Sequence, residues 1–225
     1  MEARTGVHLP EDGLLVGFAR RFAGYKRSDL ILRDGEQIHD ELASGRLSLL
    51  FAGKAHPADE VGQETLRNLI QLVRKFPKSA AFLPNYGMGL AKLLTRGCDL
   101  WLNNPRRPLE ACGTSGMKAA MNGVLNLSVL DGWWAEACVH GVNGWQIGDG
   151  GVSDRPELQD AADAAALHRT LLEEVLPIYQ DRPRWTRMMQ SSIATAKLGF
   201  SAERMVLQYY AELYSQRREP ALATG

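Results

Sequence analysis

An excess of charge is the first thing this sequence lacks. Its 225 residues carry 26 lysines and arginines against 26 aspartates and glutamates, a formal net charge of zero. No global field draws the chain to nucleic acid or to an anionic lipid surface, so any anion site has to be local. Cysteine is scarce: Cys98, Cys112 and Cys138 are odd in number and form no C-x-x-C pair. That argues against a disulfide framework and a cysteine-based zinc site, and it fits a reducing, cytoplasmic compartment. The five histidines show no H-E-x-x-H spacing, so no metal site is expected. No apolar run approaches the roughly 20 residues that span a bilayer. The opening "MEARTGVHLPEDG" has no apolar core of a secretory signal. Neither a membrane nor a nucleic acid is an expected partner.

What is present is the composition of a globular domain, 45% hydrophobic and 23% charged, at a length that suits one large domain. Short apolar runs at 14–18 and 47–51 read as buried strands, 80–83 as a short strand candidate, and 99–102 and 124–129 as strand-like. Between them lie helical patterns at 28–42 (weakened by Gly35), 60–76 and 86–95; the second has Leu66, Leu69, Ile70 and Val73 on one face. This alternation predicts βαβ units: a Rossmann-like α/β fold, with a parallel sheet and helices on both faces. Ligands of such sheets sit outside the carboxyl ends of the strands. The loops at 19–27, 52–60, 84–87, 103–115 and 131–136 are expected to gather along that edge. After Gly151 the pattern becomes helical, at 162–176, 182–197 and 201–216. One domain is expected over 1–218, with a disordered tail at 219–225.

Two stretches carry candidate chemistry. In "EACGTSGMKAAMNG" (110–123), Gly113 and Gly116 allow close backbone approach, and Thr114 or Ser115 can cap a helix. A helix N-terminus offers free N–H groups to an anion, and Lys118 follows about one turn inside. That spacing suits a flat cofactor with a phosphate and an aldehyde, the two handles of pyridoxal phosphate; a capped helix with a solvated lysine is the plainer alternative. The stretch is neither a Walker A loop nor a G-x-S-x-G elbow. In "ARRFAGYKR" (19–27), Arg20, Arg21, Lys26 and Arg27 crowd a strand-end loop, either as an anion site or as a solvated charged turn. Lys92 stands where a dinucleotide fingerprint beginning at Gly87 would need its third glycine. His56 reads as a loop histidine, and the Trp133–Trp134 pair as packing residues rather than a sugar platform.

Read together, "FARRFAGYKR", "FAGKAHPADE" and "WLNNPRRPLEACGTSGMKAAMNGVLNLSVLDGWWAE" resemble the C-terminal half of an α-glucan (glycogen/starch) phosphorylase of the shorter bacterial and archaeal type. The likeness covers about residues 14–148 closely and the terminal helices loosely. It implies the C-terminal domain of a GT-B glycosyltransferase fold with a helical tail. It also implies pyridoxal phosphate held covalently by Lys118, with Gly113, Thr114, Arg20 and Tyr86 at its 5′-phosphate. Arg21 and Lys26 would grip the substrate phosphate. Glu110, with the backbone of Ala111, Cys112 and Gly113, would hold glucose hydroxyls, and Tyr25 would border the sugar. The implied reaction moves the terminal glucose of an α-1,4-glucan to inorganic phosphate, giving α-glucose 1-phosphate with retention.

Two departures stand out. Cys112 replaces the family's usual serine, and a complete member is several-fold longer, its first domain supplying half of the cleft. An N-terminal half, in cis or in trans, is therefore an expected partner, and homo-oligomerisation stays open. A non-catalytic module descended from such an enzyme is an alternative. So is a nucleotide-sugar transferase domain of the same fold, which leaves the lysine loop unexplained.

Overall fold

Alternation along the strands decides which face each side chain serves. In the strand Leu47–Ala52, Leu47, Leu49 and Phe51 join one buried cluster while Leu50 and Ala52 join another. This is the two-residue period of a strand covered on both faces. The computed structural model describes residues 6–33 and 35–215. Its strands are β1 (Leu14–Ala19), β2 (Leu47–Ala52), β3 (Ala80–Leu83), β4 (Leu100–Asn103), β5 (Leu125–Val129) and β6 (Gly144–Ile147). They form one parallel sheet in the order β3-β2-β1-β4-β5-β6. The chain runs outward from β1 to β3 and then returns to β4 on the other side of β1. That reversal opens a crevice beyond the carboxyl ends of β1 and β4.

The α-helices among the described residues are α1 (Glu36–Ser44), α2 (Glu60–Val73), α3 (Met88–Gly97), α4 (Thr114–Met121), α5 (Trp133–Ala137), α6 (Pro156–Thr170), α7 (Leu176–Gln180), α8 (Arg182–Phe200) and α9 (Ala202–Tyr209). On one face, Ile38 of α1, Leu69 of α2, Leu167 of α6 and Trp185 of α8 share a core with Val16 and Phe18. On the other, Leu94 of α3 and Ala119 of α4 pack with Leu50 and Trp101. Trp133 and Trp134 of α5 form a smaller cluster with Ala196 of α8. No described helix is long and apolar enough to cross a membrane.

The βαβ order predicted from the sequence is the order found, with shifts at the ends of elements. The helix expected over 28–42 begins at Glu36, because residues 30–32 make a tight 3-10 turn first. The one expected over 60–76 ends at Val73, and the one over 86–95 runs Met88–Gly97 with Gly87 as its cap. The helix expected from 162 starts earlier, at Pro156. Proline suits that first position, where its missing N–H would have had no helical partner. The ladder then loosens into a π-turn at Leu171–Val175, just ahead of Pro177 in α7. α5 and β6 span only five and four residues, too short to leave a periodic signature. α9 continues into a π-turn at Tyr210–Tyr214, and this whole terminal segment buries none of its residues. Residue 216, the boundary at 218 and the tail at 219–225 lie outside the described residues.

A buried ionic network ties the crevice loops to α6. Arg27, 1% exposed, sits in the left-handed region at φ 50°. Its Nε donates to the carbonyl of Asn104 (2.8 Å) and its Nη2 to that of Pro105 (2.8 Å). Nη1 reaches Asp160 Oδ1 (3.0 Å), and Nη2 reaches Asp163 Oδ2 (2.8 Å). Asn104 Nδ2 donates back to the Arg27 carbonyl (2.8 Å). Arg106 pairs with Asp160 (2.7 Å) and Arg107 with Asp163 (2.8 Å). Removing one partner of such a set strands the opposite charge in the interior. Arg27→Ala is therefore expected to lower unfolding free energy by about 3–5 kcal/mol, read from urea midpoints; a loss under about 1 kcal/mol, the range of an exposed pair, would refute it.

The same network sets an acid limit. Burial alone would push Asp160 up, but hydrogen bonds and charge from Arg106 and Arg27 prevail and hold it below the usual carboxylate range. Folding thus favours its ionised form. The contribution is complete above the unfolded value of about 4 and is lost as pH falls through the lowered folded value. Thermal melts are expected to show Asp160→Asn closing its stability gap to wild type as pH drops from 6 towards 3. A gap that stays constant over that range would contradict this.

Candidate active site

The strand β1 delivers the basic loop to the crevice. Beyond Ala19 the backbone stays extended, with Arg20 N donating to the Ala52 carbonyl (3.1 Å) and Phe22 N to that of Lys54 (2.9 Å). A 3-10 turn at Gly24–Lys26 then swings Lys26 back towards the sheet edge. Four cations expected as one group therefore part company. Arg20 and Lys26 are each 8% exposed, Arg27 is sealed in the network above, and Arg21 is exposed. A solvated turn describes only Arg21.

The loop after β4 approaches from the other side. Arg106 N donates to the Tyr25 carbonyl (2.7 Å), so the two loops are hydrogen-bonded together. Glu110 meets both buried cations: its Oε2 accepts from Arg20 Nη1 (3.2 Å) and from Lys26 Nζ. Its backbone N–H donates to Asp131 Oδ2 (2.9 Å), while Asp131 Oδ1 accepts from Gly132 N (3.0 Å). Trp133 N donates to the Cys112 carbonyl (3.0 Å). Asp131 was not read from the sequence as a site residue; a lone aspartate in a "DG" turn carries no signal beyond turn chemistry.

Gly113 precedes α4 at φ +86°, a conformation that a side chain would strain. The sequence suggested Thr114 or Ser115 as the cap. Instead Gly113 holds that position, and no side chain caps the helix. Gly116 N donates to the Gly113 carbonyl (3.0 Å), and no side chain competes for the N–H groups of Thr114 and Ser115, which line the cleft. At Gly116 a Cβ would come within 2.8 Å of Asn126 Oδ1 and 2.9 Å of Trp133 Nε1. This closeness lets Asn126 Nδ2 donate to the Gly116 carbonyl (3.1 Å) and seats α4 on β5. Lys118, exposed, projects from this seated helix.

These parts enclose one cleft of about 820 Å³, lined by Arg20, Arg21, Lys26, Tyr86, Lys118 and the 110–115 segment. The structure brings together every site residue expected from sequence except Tyr25. That residue lies off the cleft wall, with its ring centroid 4.5 Å from Lys26 Nζ. The cleft also takes two unexpected cations, Lys92 and Arg96, from α3. Their spacing of four on one helix was the available signal. Among the described residues, the lining holds six lysines and arginines against one acid, Glu110, in a chain of zero net charge. Burial lowers the Arg20 pKa, and Glu110 counters it. Burial raises the Tyr86 pKa against the pull of Arg20; the phenol donates to the Ala19 carbonyl (3.4 Å).

The donor set fits pyridoxal phosphate. Arg20 Nε is buried with no partner among the described residues, the α4 N-terminus is uncapped by side chains, and Lys118 is a primary amine open to the cleft. Other candidates fall away. His56 is exposed, and its Nδ1 accepts from Ala58 N (3.1 Å) within its own turn. Trp133 and Trp134 are 3% and 1% exposed and pack on each other, 5.0 Å between ring centroids.

The loops that build this cleft are also where the chain is similar to known proteins. A family profile described as carbohydrate phosphorylase matches residues 1–139. Maltodextrin phosphorylase of Thermococcus litoralis is 46% identical over 95% of this chain and 27% of its own length. Glycogen phosphorylase of Aquifex aeolicus is 44% identical over 94% of this chain and 31% of its own. The chain thus spans about a quarter to a third of these relatives. Among solved structures, Anabaena Alr3699/HepE in complex with UDP shares the fold, with a TM-score of 0.64 at 20% identity over 91% of this chain and 49% of the other. The fold is the Rossmann-like α/β fold of that neighbour, and the profile match spans more than half of the sequence, including both loops that supply Arg20, Lys26 and Glu110: the chain belongs to the carbohydrate phosphorylase family.

Proposed function

We propose that this chain is the cofactor-holding part of an α-1,4-glucan phosphorylase. The supporting observation is the cleft at the sheet's switch point, lined together by Lys118, the N-terminus of α4 and further cations, two of which, Arg20 and Lys26, pair with Glu110. Lys118 would hold pyridoxal phosphate, with Gly113 and Thr114 at the α4 N-terminus, and Arg20 and Tyr86, around its 5′-phosphate. When bound, the cofactor supplies a phosphate that relays a proton to the substrate phosphate.

The chain's own residues then do three things. Arg21 and Lys26 bind inorganic phosphate and hold it against the repulsion of the neighbouring phosphate group, a clamp whose worth rises as water is excluded. Glu110 accepts hydrogen bonds from sugar hydroxyls while the N–H groups of Ala111, Cys112 and Gly113 donate to them. The fixed loops keep both partners at attack distance, so that the glycosidic oxygen is protonated as glucose passes to phosphate. Cys112 is exposed in this loop, and its carbonyl is held by Trp133 N, so serine-to-cysteine exchange leaves the backbone geometry in place. Arg21, being exposed, serves the ligand rather than the fold; Lys26, being buried against Glu110, serves both.

Borohydride reduction of protein loaded with pyridoxal phosphate is expected to fix a pyridoxyl group on Lys118, located by peptide mass mapping. Adducts on other lysines with Lys118 unlabelled would sink the assignment.

Cleavage of glucan needs more than this cleft. The relatives contain two thirds or more of their length beyond the matched part. Without a second wall, the exposed Arg21 faces solvent and its share of the clamp weakens. The 225-residue chain is accordingly expected to hold the cofactor yet release no glucose 1-phosphate from glycogen and phosphate. Mixing it with the complementary part of a close relative is expected to start turnover. Robust turnover by the chain alone would overturn this reading.

A further inference from the structure

Glu110 occupies an unusual position for a residue expected to meet a neutral sugar. Among the described residues it is the one acid lining a cleft with six cations, and its Oε2 is shared by Arg20 and Lys26. The three side chains are 11%, 8% and 10% exposed, so water does little to screen them. On the proposed reading, Arg20 and Lys26 serve two phosphate groups, the cofactor's and the substrate's. A phosphate arriving at Lys26 meets a carboxylate already bound to the same ammonium. Both are anions, and at contact distance they repel.

We propose that Glu110 is an internal counter-ion that competes with phosphate for Lys26 and Arg20, and that binding of phosphate releases its carboxylate for the sugar hydroxyls. The inference rests on the phosphorylase reading of this cleft. It adds a coupling between the two substrates that a static list of binding residues does not contain. The swing is confined to the side chain. The Glu110 backbone is tied to Asp131 Oδ2 at 2.9 Å, and Asp131 is itself 9% exposed and held by Gly132 N. The anchored main chain keeps Glu110 within reach of the sugar site, while the χ angles are free to move the carboxylate off the cations. Before phosphate binds, the trio Arg20–Glu110–Lys26 also keeps two buried cations from standing uncompensated, which lets the cleft exist with so little solvent around them.

By linkage, if phosphate releases Glu110 then removing the Glu110 charge must strengthen phosphate binding. This runs against the usual expectation for a substrate-contacting residue, whose loss weakens binding. The test is calorimetric titration of inorganic phosphate into the chain, wild type against Glu110→Gln, with Glu110→Ala as a second variant and circular dichroism to confirm folding. Two forms are titrated: apo-protein, and protein carrying a borohydride-fixed pyridoxyl phosphate. In the second the cofactor phosphate already holds Arg20, so the reading reports Lys26.

Both Glu110 variants are expected to bind phosphate about tenfold more tightly, within the usual range of coupling between sites, and Lys26→Ala to bind it more weakly. If Lys26→Ala weakens phosphate binding but the Glu110 variants bind no more tightly than wild type, the competition is refuted and the phosphate site stands. If neither Lys26→Ala nor Arg21→Ala changes phosphate binding, the phosphorylase reading of these residues fails, and the competition falls with it.

Discussion

The geometry of the cleft depends on one buried guanidinium. Arg27 has a partner for each of its three nitrogens, and those partners come from the β4 loop and from α6. A charge taken out of water at this depth is tolerated only when it is fully hydrogen-bonded and paired. That requirement leaves the β1 loop, the β4 loop and α6 little freedom to shift. Arg27 itself takes no part in lining the cleft. Its neighbour Lys26 does, and the left-handed turn at Arg27 sends the two adjacent side chains to opposite destinations. A single conformational choice thus separates the residue that holds the loops from the one that lines the cleft.

The charge of the cleft is a local property. Six cations gather there because strand-end loops and one face of α3 converge on the sheet edge, while the chain as a whole is neutral. The acids that balance them lie elsewhere, and not in the ionic network behind the loops, where Arg27, Arg106 and Arg107 meet only Asp160 and Asp163. Such an arrangement favours a compact anion over an extended polyanion, since little field reaches beyond the cleft at physiological salt. The uncapped N-terminus of α4 adds to it, and the close approach of α4 to β5 through Gly116 aims Lys118 at the same volume.

Much of this was legible in the sequence, for identifiable reasons. The buried strands β1 to β5 show as apolar runs, because a parallel sheet covered on both faces needs apolar residues at successive positions. Their alternation with helical patterns fixed the fold class and, through it, the edge on which ligand residues would meet. The loops carrying Arg20, Arg21, Lys26, Glu110 and Lys118 stood out as cations, glycines and small residues directly after strands. β6 and α5 were not legible: β6 is as short as β3 and β4, but Gly144 and Gln146 break its apolar run, and five residues of α5 are too few for a helical period to emerge.

Composition and order along the chain therefore determined the fold class, the edge of the sheet that binds, and the residue types gathered there. They did not determine the fate of each charge. Nothing in "ARRFAGYKR" says that Arg21 is exposed, that Lys26 and Arg20 share Glu110, or that Arg27 disappears beneath Asp160 and Asp163. Those partners lie 84 to 136 residues away, and a pairing across such distances exists only once the sheet has brought β1, β4 and α6 together. Charge type is written in the sequence, whereas desolvation and pairing, which decide what a charge can do, are properties of the folded neighbourhood.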